Sequence, residues 1–135
     1  MPCYLGFDPG TVKCGLAAVR AGQVLVRAVV PMAEALPWVT QAVREFGMAG
    51  LVLGNQTGSR SWQVRLQTEF PELPIHLVDE RYSSQEARLR YWDFYPARWQ
   101  GWLPRSLRVV PTPYDDVVAV VLVERFLAQS TLSSV

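Results

Sequence analysis

Four of the five aspartates in this 135-residue chain stand where a carboxylate could bind a metal ion. Asp8 directly follows the apolar segment 3–7, and Asp79 and Glu80 directly follow a second apolar segment, Ile75–Val78. Because ligand sites of open α/β sheets form at the carboxyl ends of the strands, we expect Asp8 and one of Asp79 or Glu80 to lie close together. Asp115 and Asp116 open a helical segment that must pack on the sheet, so one of them can join the group.

A site made only of carboxylates selects hard divalent cations such as Mg²⁺ or Mn²⁺. The chain has no Cys/His cluster of the kind that binds zinc. Two such ions about 4 Å apart can activate a water and stabilise the leaving oxygen in phosphodiester cleavage. The sequence therefore predicts metal-dependent hydrolysis of a nucleic acid, with Lys13 and Arg81 as candidate cations beside the metals.

Each carboxylate also has a structural interpretation when it is taken alone. Asp8 could serve the turn before Gly10, Glu80 could pair with Arg81, and Asp115 could belong to a helix cap. The metal site is favoured because all of them fall at strand ends or at a helix start in one predicted fold.

The elements that must position these residues follow from hydrophobic periodicity and from Gly and Pro breaks. Short spacing between the first three strands predicts an antiparallel meander, and helical crossovers place the later strands parallel to the first. The result is a mixed, five-stranded α/β sheet flanked by helices. The predicted strands are 3–7, 14–19, 24–30, 51–53 and 75–78, and the predicted helices are 35–46, 61–70, 84–92 and 115–127.

The last helix has the clearest start in the sequence. Thr112 is predicted as its cap and Pro113 as its first residue, with Asp115 three residues after the cap. Its apolar stretch 117–123 predicts a helix covered on most sides. We expect one domain over 1–135, an ordered insertion over 93–111, and a frayed tail over 128–135.

Two segments could bind a polymer. Between residues 81 and 108, six arginines face two acidic residues and alternate with aromatic residues, as in proteins that stack and neutralise single strands. Arg88 and Trp92 are the candidates there; the alternative is an aromatic flap that closes the core or meets a second subunit in a homodimer. The other segment is a polar loop whose amides could meet a phosphate, with Asn55, Gln56, Thr57 and Arg60 as candidates.

Four blocks of this chain resemble the YqgF family, also called RuvX, and they appear in order over nearly the whole length. The blocks are Gly6-Phe7-Asp8-Pro9-Gly10-Thr11, residues 51–55, Val78-Asp79-Glu80-Arg81-Tyr82-Ser83-Ser84 with Glu86-Ala87, and residues 115–127. The insertion and the Gly54-Asn55-Gln56-Thr57 segment resemble a cyanobacterial-type branch.

The resemblance implies a ribonuclease H-like fold with the acidic site on Asp8, Glu80 and Asp115, and Asp116 as a possible substitute. It implies a nuclease that matures the 5′ end of pre-16S ribosomal RNA, or a Holliday junction resolvase acting on branched DNA. Val118 stands where resolvase relatives commonly carry a second aspartate, which weakens the junction-resolvase interpretation more than the general nuclease interpretation.

Composition and charge exclude few further classes of protein. Net charge is +1, and no apolar run approaches the ~20 residues of a membrane span, so we expect no membrane partner and a cytoplasmic location. Cys3, Cys14 and His76 are expected to be structural. Two rival functions stay open: a non-catalytic nucleic-acid-binding module, and an actin-like ATPase or kinase, which the single domain disfavours.

Overall fold

The protein is described by a computed structural model that covers residues 1–56 and 58–133, with side chains through residue 129. Its strands and helices follow one another along the chain in the predicted order. The strands are β1 Cys3–Asp8, β2 Lys13–Arg20, β3 Gln23–Pro31, β4 Gly50–Gly54 and β5 Ile75–Val78; the helices are α1 Met32–Phe46, α2 Ser59–Glu69, α3 Ser83–Phe94 and α4 Asp115–Ser133.

The five strands form one sheet in the order β3-β2-β1-β4-β5. β1 pairs antiparallel with β2, and β2 with β3, while β4 lies parallel to both β1 and β5. This confirms the predicted meander with two parallel strands. It also puts the ends of β1, β4 and β5 at the same edge of the sheet.

Each face of the sheet buries its own hydrophobic layer because side chains alternate along a strand. Leu5 and Phe7 of β1 pack with Val39 of α1 and Leu66 of α2. The opposite face packs on α4, whose residues 117–123 are all buried, so the prediction of a covered helix is confirmed.

Helix α4 lies directly on the backbone of the central strands. A β-carbon at Gly6 would collide with the Ala119 carbonyl oxygen, and a β-carbon at Gly15 would collide with the Asp115 carbonyl oxygen. These two glycines thus allow the helix to approach more closely than any side chain would permit.

Two predictions about the ends of α4 are wrong. The helix continues to Ser133, six residues beyond the predicted end at 127, so the tail is helical as far as the structure describes it, and residues 134–135 lie outside the described part. Thr112 does not cap it: the Tyr114 carbonyl accepts the first backbone bonds, from Val117 at 3.0 Å and Val118 at 3.1 Å. The Thr112 hydroxyl instead meets the Tyr91 hydroxyl at 2.8 Å.

The insertion is ordered around two short 3₁₀ helices, Trp99–Trp102 and Arg105–Leu107. The Gln100 side chain joins its two arms, since its amide nitrogen donates to the Val109 carbonyl at 3.0 Å and its amide oxygen accepts from the Val109 N–H at 2.7 Å. No helix within the described residues has both the length and the apolar character needed to cross a membrane.

We expect Gly6→Ala to lower the free energy of unfolding by roughly 3 kcal/mol, because the new methyl group must push α4 off the sheet. Urea denaturation measures the change. Gly101→Ala is the matched control, since a β-carbon there meets nothing within 4 Å, and it should change stability little. Equal effects of the two variants would contradict the close approach of α4.

Candidate active site

Asp8 is the last residue of β1 and lies between two glycines of the neighbouring strands. On one side its register partner is Gly15 of β2. On the other side Phe7 pairs with Leu53 of β4, which puts Gly54 beside Asp8. Both neighbours lack a side chain, so the space above each is open to a residue from elsewhere in the chain.

Glu80 occupies the space above Gly54. A β-carbon at Gly54 would coincide with the Glu80 carboxylate, so only glycine admits this side chain. The Asn55 side-chain oxygen accepts the Glu80 backbone N–H at 3.3 Å and holds the segment after β5 in place. Glu80 is buried, and its Oε1 has no hydrogen-bond partner among the described residues.

Asp115 occupies the space above Gly15. A β-carbon at Gly15 would stand 2.8 Å from the Asp115 β-carbon, so the first residue of α4 sits on the strand next to Asp8. The Lys13 ammonium lies 3.6 Å from Asp115 Oδ2, and both side chains are partly exposed. Of the two predicted cations, Lys13 is therefore the one that the structure brings to the site.

The three carboxylates interact through their charges. Burial, together with the negative charges of Glu80 and Asp115, raises the pKa of Asp8 from its ordinary 3.8 to about 8. Burial and the neighbouring Asp79 also raise the pKa of Glu80. The site thus holds more negative charge than its surroundings neutralise.

This donor set suits a hard divalent cation. Glu80 has a buried carboxylate oxygen without a hydrogen-bond partner among the described residues, and the Asp8 carboxyl resists ionisation. Oxygen ligands of a cation have these two properties when no positive charge lies beside them. As their side chains stand, no three His, Cys, Asp or Glu residues in the described part of the chain form a group close enough to share one ion. A cation shared by three carboxylates would therefore require their side chains to rotate.

Asp116 points to a different place from Asp115. It is buried, its Oδ2 lies 2.7 Å from the Arg27 guanidinium, and the Tyr95 hydroxyl donates to the same oxygen at 3.3 Å. Arg27 is in turn held between the rings of Phe94 and Tyr95, at 4.6 and 4.5 Å from their centroids. Asp116 therefore ties the start of α4 to β3 and to the end of α3 rather than to Asp8.

The other predicted residues divide between the surface and the interior. Arg81, Gln56 and Arg60 are exposed, and Asn55 acts on Glu80; Thr57 lies outside the described residues. Arg88 is exposed and donates to the Ser106 carbonyl at 2.9 Å. Trp92 is only 8% exposed, so it cannot offer its face to a base as predicted, because α3 turns it inward under the Arg108 guanidinium.

The structure also shows a groove beside Asp8 that sequence reasoning missed. Its volume is about 380 Å³, and it runs between the turn after β1, at Pro9 and Gly10, and the first turns of α2, at Ser61 and Arg65. Ser61 and Arg65 are four residues apart on one helix face, and that spacing was the available sequence signal.

Comparison with solved structures defines the class of the fold. The chain is similar to RuvC from Thermus thermophilus, both in its complex with a Holliday junction substrate (TM-score 0.68, 14% identity, 98% of this chain and 96% of that chain) and alone (TM-score 0.66, 14% identity). The protein therefore has a ribonuclease H-like fold, with a carboxylate-rich edge at β1.

Comparison with curated sequences gives the family. The chain is 33% identical to a Xylella fastidiosa protein named "Putative pre-16S rRNA nuclease" over 92% of its length and 86% of that protein's. A protein of the same name from Xanthomonas campestris is 32% identical over 95% and 90% of the two chains. No family model matches the chain. The chain belongs to the YqgF family, to which these relatives belong.

The two adjacent aspartates should respond oppositely to the same change. We expect Asp116→Asn to lower the free energy of unfolding by roughly 3 kcal/mol, because it leaves Arg27 without its buried counter-charge. Asp115→Asn should not destabilise the protein, since it removes a negative charge beside Asp8. Urea denaturation of the pair measures both effects, and the reverse order of stability would contradict the assignment.

The raised pKa of Asp8 makes the metal-free protein sensitive to pH. Above the ordinary value of 3.8 the unfolded chain loses the Asp8 proton while the folded chain keeps it until about pH 8, so stability falls as pH rises through this window. Asp8→Asn removes that loss. In EDTA its stability advantage over the wild type should be small near pH 4 and grow toward pH 8, by at most about 1.4 kcal/mol per pH unit before solvent screening.

Urea denaturation across that range is the measurement. Glu72→Gln is the control for the loss of one carboxylate, because Glu72 is exposed and lies between α2 and β5, away from Asp8. An advantage of Asp8→Asn that stays constant with pH would show that the Asp8 proton is not linked to folding.

Proposed function

We propose that this protein is a divalent-metal-dependent nuclease that hydrolyses phosphodiester bonds in precursor 16S ribosomal RNA. The observation that carries the proposal is the convergence of Glu80 and Asp115 on Asp8 across two glycines, Gly54 and Gly15. Membership of the YqgF family, with relatives named for pre-16S rRNA, supports the choice of RNA as the substrate.

Asp8, Glu80 and Asp115 are the residues that would hold one or two Mg²⁺ or Mn²⁺ ions. When bound, such ions activate a water and stabilise the leaving oxygen of the cleaved bond. The fold positions each of these carboxylates. Asp8 is held by the pairing of β1 with its two neighbouring strands, Asp115 by the packing of α4, and Glu80 by the hydrogen bond to Asn55. Burial and the neighbouring carboxylates raise the pKa of Asp8, so a cation held there would favour its ionised form.

The substrate backbone has a path beside these carboxylates. The groove between the turn after β1 and α2 is lined by Arg65 and Ser61, and Arg60 is exposed one residue before Ser61. Guanidinium groups bind phosphate oxygens, and Lys13 adds a cation on the β2 side. A strand lying in the groove would thus pass the turn at Pro9 and Gly10 that directly follows Asp8. A cytoplasmic location, where we expect the enzyme to act, is part of this proposal.

Branched DNA is the second candidate substrate. It is favoured by the fold shared with RuvC, whose structure was solved with a Holliday junction. That similarity is at 14% identity, whereas the relatives named for RNA are at 32–33%. RNA is therefore the first choice.

Cleavage of a labelled pre-16S leader RNA in Mn²⁺ should be lost in EDTA and reduced at least about 100-fold in Asp8→Asn and Asp115→Asn. The reason is that even outer-shell residues of metal sites contribute 10–100-fold. Gel analysis measures the rate, with a four-way DNA junction as the competing substrate and Glu72→Gln as the control variant.

Each other result of that assay has a meaning. Cleavage of the junction alone would replace the RNA proposal by the DNA alternative. Binding without any cleavage would leave the protein as a non-catalytic nucleic-acid-binding module, and cleavage that survives in Asp8→Asn would remove the metal site from the mechanism.

A further inference from the structure

The insertion and α3 enclose a second cavity, the aromatic cleft, that the proposed active site does not use. It has a volume of about 400 Å³, within the range of sites that hold small molecules. Four rings face it together with two polar side chains: Tyr91, Trp92, Tyr95, Trp99, Arg98 and Gln100.

Trp99 and Arg98 are presented to solvent at this cleft. Trp99 is 72% exposed although it is a large hydrophobic side chain, and the Gln100 clamp fixes the turn that carries it. The Arg98 carbonyl accepts the Gly101 N–H, but its guanidinium has no hydrogen bond or ion pair with the described residues. An exposed ring on a rigid turn beside an unpaired guanidinium is suited to a ligand that is both flat and anionic.

The wall of the cleft contains a buried donor without a partner among the described residues. Trp92 is more than nine-tenths buried, and its indole N–H has no acceptor in the described part of the protein. Because that N–H has essentially no accessible surface, the groups that the cleft offers to a ligand are the exposed Trp99 ring and the Arg98 guanidinium.

The charge around the cleft fits a phosphodiester strand. The Arg108 guanidinium lies 5.2 Å from the centroid of the Trp92 ring and donates only to the backbone carbonyls of Leu103 and Gly101, so within the described residues no carboxylate neutralises it. Together with Arg98, which lines the cleft, it leaves two positive charges beside the rings. Guanidinium groups next to stacking rings are typical of proteins that bind unpaired strands.

The cleft also lies close to the start of α4, where Asp115 is located. Thr112, which lines it, is three residues before Asp115, at most about 11 Å along the chain. Tyr95, another lining residue, donates to Asp116 at 3.3 Å. A strand bound near Asp115 can therefore reach the cleft within a short distance.

We propose that the aromatic cleft binds an unpaired nucleotide of a single-stranded RNA, with its base on Trp99 and its phosphate at Arg98. This rests on the proposed function and narrows it to substrates that are single-stranded next to the cleavage site. A duplex cannot place a base in the cleft without unpairing it.

Trp99 and Trp102 make a matched pair for the test. Both are highly exposed, at 72% and 77%, and they lie in the same 3₁₀ helix, but only Trp99 lines the cleft. Binding is measured by fluorescence anisotropy of a labelled single-stranded RNA, and of the same RNA annealed to its complement, in an Asp8→Asn background that does not cut it.

Trp99→Ala should weaken single-strand binding about tenfold or more, and Trp102→Ala by less than about twofold. Trp99→Phe should retain most of the affinity, and duplex binding should be weaker and insensitive to both tryptophans. Arg98→Ala should lower the salt dependence of binding by about one ion. Thermal unfolding of each variant checks that the fold is intact.

Three results would overturn the proposal: equal effects of the two alanine variants, equal binding of duplex and single strand, or no RNA binding at all. Conversion of a dimer to a monomer by Trp99→Ala, seen by light scattering, would assign the cleft to a second copy of the chain and overturn the proposal as well.

The same measurements distinguish this proposal from the proposed nuclease function. Trp99-dependent binding by a wild-type protein that cuts no RNA would contradict only the nuclease function, whereas RNA cleavage without any dependence on Trp99 would contradict only the role of the cleft.

Discussion

The contact of α4 with the bare backbone of Gly6 and Gly15 is the constraint on which the rest of the structure depends. It fixes the height and the rotation of the helix over β1 and β2. Asp115, the first helical residue, is thereby placed beside Asp8, although the two are more than a hundred residues apart in the chain. The same contact leaves Asp116 facing Arg27. The packing of α4 on the sheet thus directs one of the two adjacent carboxylates toward Asp8 and the other toward an ion pair.

The crowded carboxylates stay together because the backbone holds them, although burial disfavours their charged forms. Strand ladders fix Asp8, the glycine at position 54 admits Glu80, and neither residue can move far from the other without breaking the sheet edge. The raised pKa of Asp8 expresses that confinement. A fold that forces negative charges together in this way is prepared to bind positive charge, and its affinity is set by how much repulsion the ion relieves.

Periodicity was enough to predict the antiparallel meander, the two parallel strands and the sheet edge on which Asp8 meets Asp79 or Glu80, because these depend on which segments are buried; the choice of Glu80 came from the family resemblance. It could not choose between Asp115 and Asp116, since successive helical residues point about 100° apart and only the seating of α4 on Gly15 decides which one faces β1. Thr112 was mistaken for a cap because its partner, Tyr91, is distant in sequence. The sequence also left open whether the aromatic residues bind a polymer or close the core, since the burial of Trp92 depends on how the insertion folds back over α3, which has no local pattern.

The Gln100 side chain has a consequence for how the insertion can vary. By bonding both to the N–H and to the carbonyl of Val109, it acts as a one-residue strand pair that closes the segment between them. Residues 101–108 therefore form a loop closed at a fixed base and tied to α3 through Ser106 and Arg105, and lengthening such a loop away from these contacts costs little, since the entropy of closure grows only with the logarithm of its length. The loop can therefore gain or lose residues while the walls of the cleft stay in place. The length of the insertion can vary without a change in the shape of the cleft.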